Sequence, residues 1–426
     1  VDLLTEHDFD GIDVDWEYPV CCGESDNQVD GNDWANYVLL LRELRAAMDE
    51  RSPSKHKELT IAMGMNPRVS GVAPRAELGE VLDAINLMSY DYNGAWLPFV
   101  AHNAPLFEDP DGTAAGGAPE FNIDWGVQLW LEDVAPSKLV LGLPAYGRGW
   151  LGANQEYAQA PGENGAGSPV SGTYEEGLVS YYDIKASYDG NPAWTKGWNA
   201  ASKVPFYYRS SPASFVSFDD EQSIAIKAAY AKEKGFAGMM WWEASDDKDA
   251  DLLSAANSAW AAGGGGGGGG GQTPPRVVQY FSSWGIYQYG NRVPFKPSDL
   301  HLDKITHVHY AFFDVTSGCA VASMDPYADF DVVYPEVGMT WSSPHKGNVG
   351  ALRILRDEQY PDLHLAFSLG GWTKSKFFSG CAADADKRAA LVASAVDLLT
   401  EHDFDGIDVD WEYPVCCGES DNQVDG

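Results

Sequence analysis

The chain has 426 residues, 44% of them hydrophobic and 12% aromatic, enough for one large core or two ordinary domains. A formal net charge of −35 argues against a nucleic acid partner, because phosphate binding needs a basic stripe. No apolar run approaches the roughly 18–20 residues of a membrane span, so a soluble protein with no membrane partner is expected.

Residues 1–31 and 396–426 are the same sequence, VDLLTEHDFDGIDVDWEYPVCCGESDNQVDG. Each copy contains a short apolar run, 11–16 and 406–411, that reads as a strand. The first carries Asp13, Asp15 and Glu17; the second carries Asp408, Asp410 and Glu412. Strand side chains alternate faces, so each trio of acids lines one face while Ile and Val line the other. Three crowded carboxylates cannot all stay ionised, which suits an acid that donates a proton near neutrality. A calcium loop would need alternating ligands around a central glycine rather than an apolar strand.

After the first copy come a helix over 34–48 and strands over 59–65, 84–89 and 139–143. Residues 151–218, rich in Gly, Tyr and Ser, are too many for a βα loop and predict a small α+β insertion. A helix over 221–234 and a strand over 236–242 follow. Nine glycines, 263–271, then form a flexible linker with a reach of about 15–18 Å. Beyond it lie strands over 276–281, 305–313 and 363–369, a helix over 384–399, and the second copy. Short apolar strands alternating with helices predict an α/β fold, a (β/α)8 TIM barrel with the insertion between strands seven and eight.

Strands one to three follow the linker, strand four is duplicated, and strands five to eight precede the linker. The order is circularly permuted. The expected division is 1–31 as the duplicate, 32–262 as strands five to eight, 263–271 as linker, and 272–426 as strands one to four. An engineered permutant, a piece of a tandem array, and a circular sequence read past its start all fit. Helix 384–399 runs unbroken into the second copy, which favours Glu412 inside the barrel and residues 1–31 displaced from it. The spare copy is also a hazard for strand-swapped oligomers.

The six cysteines are Cys319, Cys381 and the adjacent pairs Cys21–Cys22 and Cys416–Cys417. None has zinc-site spacing, so no metal is expected. Disulfides in an oxidising compartment are expected, with a pairing the spacing leaves open; buried thiols are the alternative.

At this point the chain resembles the chitinases of glycoside hydrolase family eighteen. The segment DGIDVDWE is similar to their signature strand. Ser368-Leu-Gly370-Gly371-Trp372 resembles their third-strand motif and Leu87-Met88-Ser89-Tyr90-Asp91-Tyr92 their sixth. Gly142-Leu-Pro144-Ala-Tyr146-Gly147-Arg148 resembles the seventh, and Gly238-Met239-Met240-Trp241-Trp242-Glu243 the eighth. The resemblance implies a secreted, cofactor-free endo-chitinase acting on chitin or chito-oligosaccharides. It implies substrate-assisted retention, an exception to the two-carboxylate rule for glycosidases.

By position, the resemblance makes Glu412 or Glu17 the proton donor. Asp410 or Asp15 orients the acetamide, and Asp408 or Asp13 shares a proton with that Asp. Tyr90 and Asp91 bond the acetamide from the opposite side, and Trp242 floors the central sugar site. Met88, Tyr146, Arg148, Trp372, Tyr280 and Phe312 are expected around the substrate, with Tyr208 and Arg209 of the insertion lining the groove. Trp241 and Trp242 point to opposite faces, so one of them faces the mouth. An endo-β-N-acetylglucosaminidase acting on N-glycans, a chitin-binding lectin and a chain inactivated at strand four are the competing readings.

Overall fold

The computed structural model describes residues 11–17, 32–51, 56, 58–162, 165–262, 275–371, 374, 376–402 and 404–412. The side chains of Asp13, Asp15, Glu17, Asp410 and Glu412, and the whole of Trp372, lie outside the described residues.

In chain order the first strands are β1 (Gly11–Glu17), β2 (Glu58–Gly64), β3 (Ala84–Met88) and β4 (Leu139–Pro144). The insertion contributes β5 (Tyr146–Leu151), β6 (Ser168–Pro169), β7 (Leu178–Ser180), β8 (Thr195–Asn199), β9 (Val204–Ser210) and β10 (Ala213–Ser217). Then follow β11 (Gly238–Trp242), β12 (Arg276–Ser282), β13 (His307–Val315), β14 (Val321–Ser323), β15 (His364–Gly370) and β16 (Gly406–Glu412). The longer helices are α1 (Asp33–Arg51), α2 (Ile123–Leu131), α3 (Glu221–Lys234), α4 (Asp251–Ala262), α5 (Gly347–Gln359) and α6 (Ala385–His402).

The sheet runs β12–β11–β4–β3–β2–β1–β16–β15–β13 and closes through β12–β13, with every neighbouring pair parallel. This is the expected TIM-type barrel, its strands reading as continuous apolar runs because helices cover the sheet. The insertion begins at Tyr146, slightly before the expected boundary, and folds as a separate antiparallel sheet beside the barrel.

One expectation is corrected. Residues 11–17 are not displaced: β1 lies between β2 and β16, so the strand-four position is filled twice. Each copy pairs with the strand its own helix connects it to, β1 with β2 across α1 and β16 with β15 across α6. The two identical segments then align in register, Asp13 opposite Asp408, Asp15 opposite Asp410 and Glu17 opposite Glu412. Identical strands have identical propensity and pattern, so nothing local favours expelling one of them.

Two cores result. The larger lies between strands and helices and takes in Trp130, Leu141, Phe313, Leu352 and Trp241. The smaller fills the barrel interior with Ala62, Met88, Val140, Met240, Val278, Tyr280, Ala311 and Phe312, with Tyr90 and Trp242 packed on it. Trp241 and Trp242 therefore face opposite ways, as period two requires. Helix α3 shows how the ends are fixed. Asp220 caps it in a reciprocal box with Ser223, and Gly235 closes it at φ 80°.

Candidate active site

Asp408 is fully buried on β16, and the Ser368 hydroxyl of neighbouring β15 donates to its Oδ2. His309 Nδ1, from β13, lies 3.9 Å from the same oxygen. Burial pushes the His309 imidazole down to about 4, against the opposing pull of Asp408, so the ring is neutral near neutrality. Its edge meets Tyr280 at 5.1 Å, and Tyr280 lies 5.2 Å from Trp242. Asp408, His309, Tyr280 and Trp242 thus form one chain of contacts across the barrel interior.

Trp242 also stacks on Phe312 at 5.7 Å, and Phe312 stacks on the partly exposed Trp284 at 6.0 Å. The three rings form an aromatic line running outward from the mouth. Gly371, at φ 80°, makes room for it: a Cβ there would sit 2.7 Å from the Phe312 ring.

The opposite wall comes from the segment after β3. Tyr90 packs on the interior cluster, with its hydroxyl 3.7 Å from Met240 Sδ. Asp91 adopts φ 56°, a left-handed conformation uncommon outside glycine. The Asn103 side chain accepts its N–H at 3.0 Å, and Arg148 grips its carboxylate with Nε at 2.8 Å and Nη2 at 2.9 Å. Arg148 in turn lies 5.1 Å from the rings of both Tyr146 and Trp96. Burial, reinforced by the Asp91 charge, raises the Tyr146 phenol well above its usual range. Gly142 keeps β4 clear of this wall, since a Cβ there would lie 2.3 Å from Leu87 O and 3.0 Å from the Tyr90 ring.

The structure therefore brings together Asp408, Tyr90, Asp91, Met88, Tyr146, Arg148, Tyr280, Phe312 and Trp242. Tyr208 and Arg209 it places within the insertion. Arg209 lies 4.5 Å over Trp194 and donates to Ser214, and Tyr208 packs on Phe206. Sequence reasoning missed His309, although a histidine at every second position of an apolar strand, His307 and His309, was a usable signal. It also missed Arg292, whose partners are distant in sequence.

A carboxylate strand, an aromatic line and an acid–arginine wall thus surround the mouth of a closed parallel (β/α)8-type barrel. The profile described as Glycosyl hydrolases family 18 matches residues 1–247 and 276–424, and the chain belongs to that family. It is 42% identical over 261 residues to Chitinase A1 of Niallia circulans, covering 59% of this chain and 37% of that one. Among solved structures it is similar to chitinase ChiA74 from Bacillus thuringiensis, with TM-score 0.57 and 31% identity, covering 63% of this chain and 47% of that one. Probable chitinase 10 of Drosophila melanogaster aligns over 509 residues at 23% identity, covering 98% of this chain and 20% of that one. The chain spans less than half the length of each of these proteins.

Proposed function

We propose that this chain is catalytic sequence of a retaining endo-chitinase that cleaves β-1,4 N-acetylglucosamine linkages with help from the substrate's own acetamide. The acid at the end of the signature strand, Glu412 or Glu17, protonates the glycosidic oxygen. The substrate's acetamido oxygen attacks the anomeric carbon, and the leaving sugar departs with the proton. Asp410 or Asp15 orients the acetamide and balances its developing positive charge. Asp408 or Asp13 shares a proton with that Asp, and Asp408 is held by Ser368 beside a neutral His309. Tyr90 and Asp91 bond the acetamide from the far wall, and Trp242 stacks beneath the ring. Water then opens the oxazolinium ion with net retention.

The observation that carries this reading is the buried Asp408 carboxylate, joined through His309 and Tyr280 to Trp242 within one barrel. The Cys319–Cys381 disulfide supports an oxidising, extracellular setting. The duplicated strand has a parallel reading. The Drosophila relative aligns with 98% of this chain in its written order, which supports successive catalytic units joined by the glycine tract, each with its own proton donor. The test is hydrolysis of N-acetylchitotetraose by the chain and by its Glu17→Gln/Glu412→Gln variant. Cleavage by the parent alone is expected; equal cleavage by both would remove the strand from the mechanism.

A further inference from the structure

Next to the aromatic floor lies a buried polar cluster that the reaction does not use. Glu243 directly follows Trp242, and its side chain is 2% exposed, as is that of Arg292 from the loop after β12. Arg292 Nη2 donates to Glu243 Oε1 at 2.6 Å, to Ser245 Oγ at 2.6 Å and to Ser282 Oγ at 2.9 Å. Ser282, the last residue of β12, donates to Glu243 Oε2 at 3.1 Å, and the Ser245 hydroxyl donates to Oε1. The guanidinium also lies 4.6 Å over the ring of Tyr174, which belongs to the insertion. Tyr174 and Ser180 donate to Asp246 at 3.2 and 2.5 Å. Burial and the neighbouring Glu243 charge push the Asp246 carboxyl far up.

A buried ion pair is a costly way to hold a fold, because apolar residues of the same volume commonly do as well. This one is confined to the segments that border the mouth: the ends of β11 and β12, the loop after β12, and the insertion. Trp242 is fixed from its other side by Ala145, whose N–H donates to the Trp242 carbonyl at 2.8 Å. The Glu243 carboxylate also accepts from Ser245 N at 3.2 Å and from the Ser245 and Ser282 hydroxyls, and Arg292 adds the positive charge that matches it.

We propose that Arg292 is a positioning residue for sugar binding: it holds Glu243, and through Glu243 it fixes the plane of Trp242 at the barrel mouth. This rests on the reading that Trp242 floors a sugar site. Without Arg292, Glu243 is left buried with its charge unmatched and must move toward water, taking the adjoining ring with it.

The test is a double-mutant cycle read as affinity for N-acetylchitotetraose by titration calorimetry. All chains carry Glu17→Gln/Glu412→Gln so that the ligand survives. Arg292→Met is expected to weaken binding about tenfold, and Trp242→Ala to weaken it at least as much. Their combination should match Trp242→Ala to within about twofold, because the arginine acts only through the ring. A merely structural role would give the same factor with or without Trp242, and that result overturns the proposal. If Arg292→Met does not fold, Arg292→Lys, which keeps the charge but not the fork, takes its place in the cycle. Failure of the parent to bind at all would instead overturn the sugar-site reading, and this inference with it.

Discussion

Arg148 offers the sharpest test of the far wall. Its two bonds to Asp91, at 2.8 and 2.9 Å, are the parallel fork that a guanidinium makes and an ammonium cannot. The arginine side chain is 12% exposed and Asp91 is 35% exposed, so the pair is screened but not fully solvated. A hydrogen bond to a charged group contributes about 1.5–3 kcal/mol when buried, and partial exposure places this pair near the lower end. Arg148→Lys, losing one arm of the fork and the stacking on Tyr146 and Trp96, should lower kcat/KM for N-acetylchitotetraose about tenfold, or about 1.4 kcal/mol. Arg148→Ala should cost about 2–3 kcal/mol, because the Asp91 carboxylate then loses both arms of the fork and its left-handed conformation is held through the Asn103 bond to its N–H. Glu175 is the control: it meets the same guanidinium at 3.3 Å but is 59% exposed, so Glu175→Ala should change kcat/KM by less than about twofold. Initial rates of the three variants decide the matter. An Arg148→Lys enzyme as fast as the parent, or a Glu175→Ala loss equal to that of Arg148→Ala, would refute the argument that the fork orients Asp91.

Other consequences concern stability. The Cys319–Cys381 bond closes a span of 62 residues, so Cys319→Ala/Cys381→Ala should lose about 4 kcal/mol in urea unfolding; an unchanged midpoint would remove the bond from the stability account. Lys227 Nζ lies 2.6 Å from both oxygens of Asp219, and both side chains are buried. Lys227→Met should therefore cost about 3–5 kcal/mol, while Lys227→Met/Asp219→Leu should restore most of it; a double variant as unstable as the single would contradict this. His309 titrates at about 4 in the folded chain against an ordinary 6.5, so its unfolded form takes up protons first. Its contribution is present above pH 6.5 and is lost as pH falls toward 4. Relative to His309→Gln, the parent should lose up to about 3 kcal/mol over that window, and parallel pH–stability curves would refute it.

The barrel was legible because its strands are short apolar runs bounded by helices, and because Trp241 and Trp242 could be sorted by period two alone. The site's carboxylate strand and sixth-strand tyrosine were legible as motifs. Pairings across long separations were not: Asp91 with Arg148, Glu243 with Arg292, and Arg209 with Trp194 are set by how loops close over the sheet, which local periodicity does not encode. The same limit explains the duplicated strand. Helix continuity favoured one copy, but both copies carry the same pattern, and each has a neighbouring strand within reach of its own helix.

Proton NMR of freshly cleaved N-acetylchitotetraose, following the anomer formed before mutarotation, distinguishes retention from inversion. Substrate-assisted double displacement predicts that the β-anomer appears first. Initial α-anomer, or no cleavage by the parent chain, would contradict the mechanism built on Asp408 and the strand that carries it.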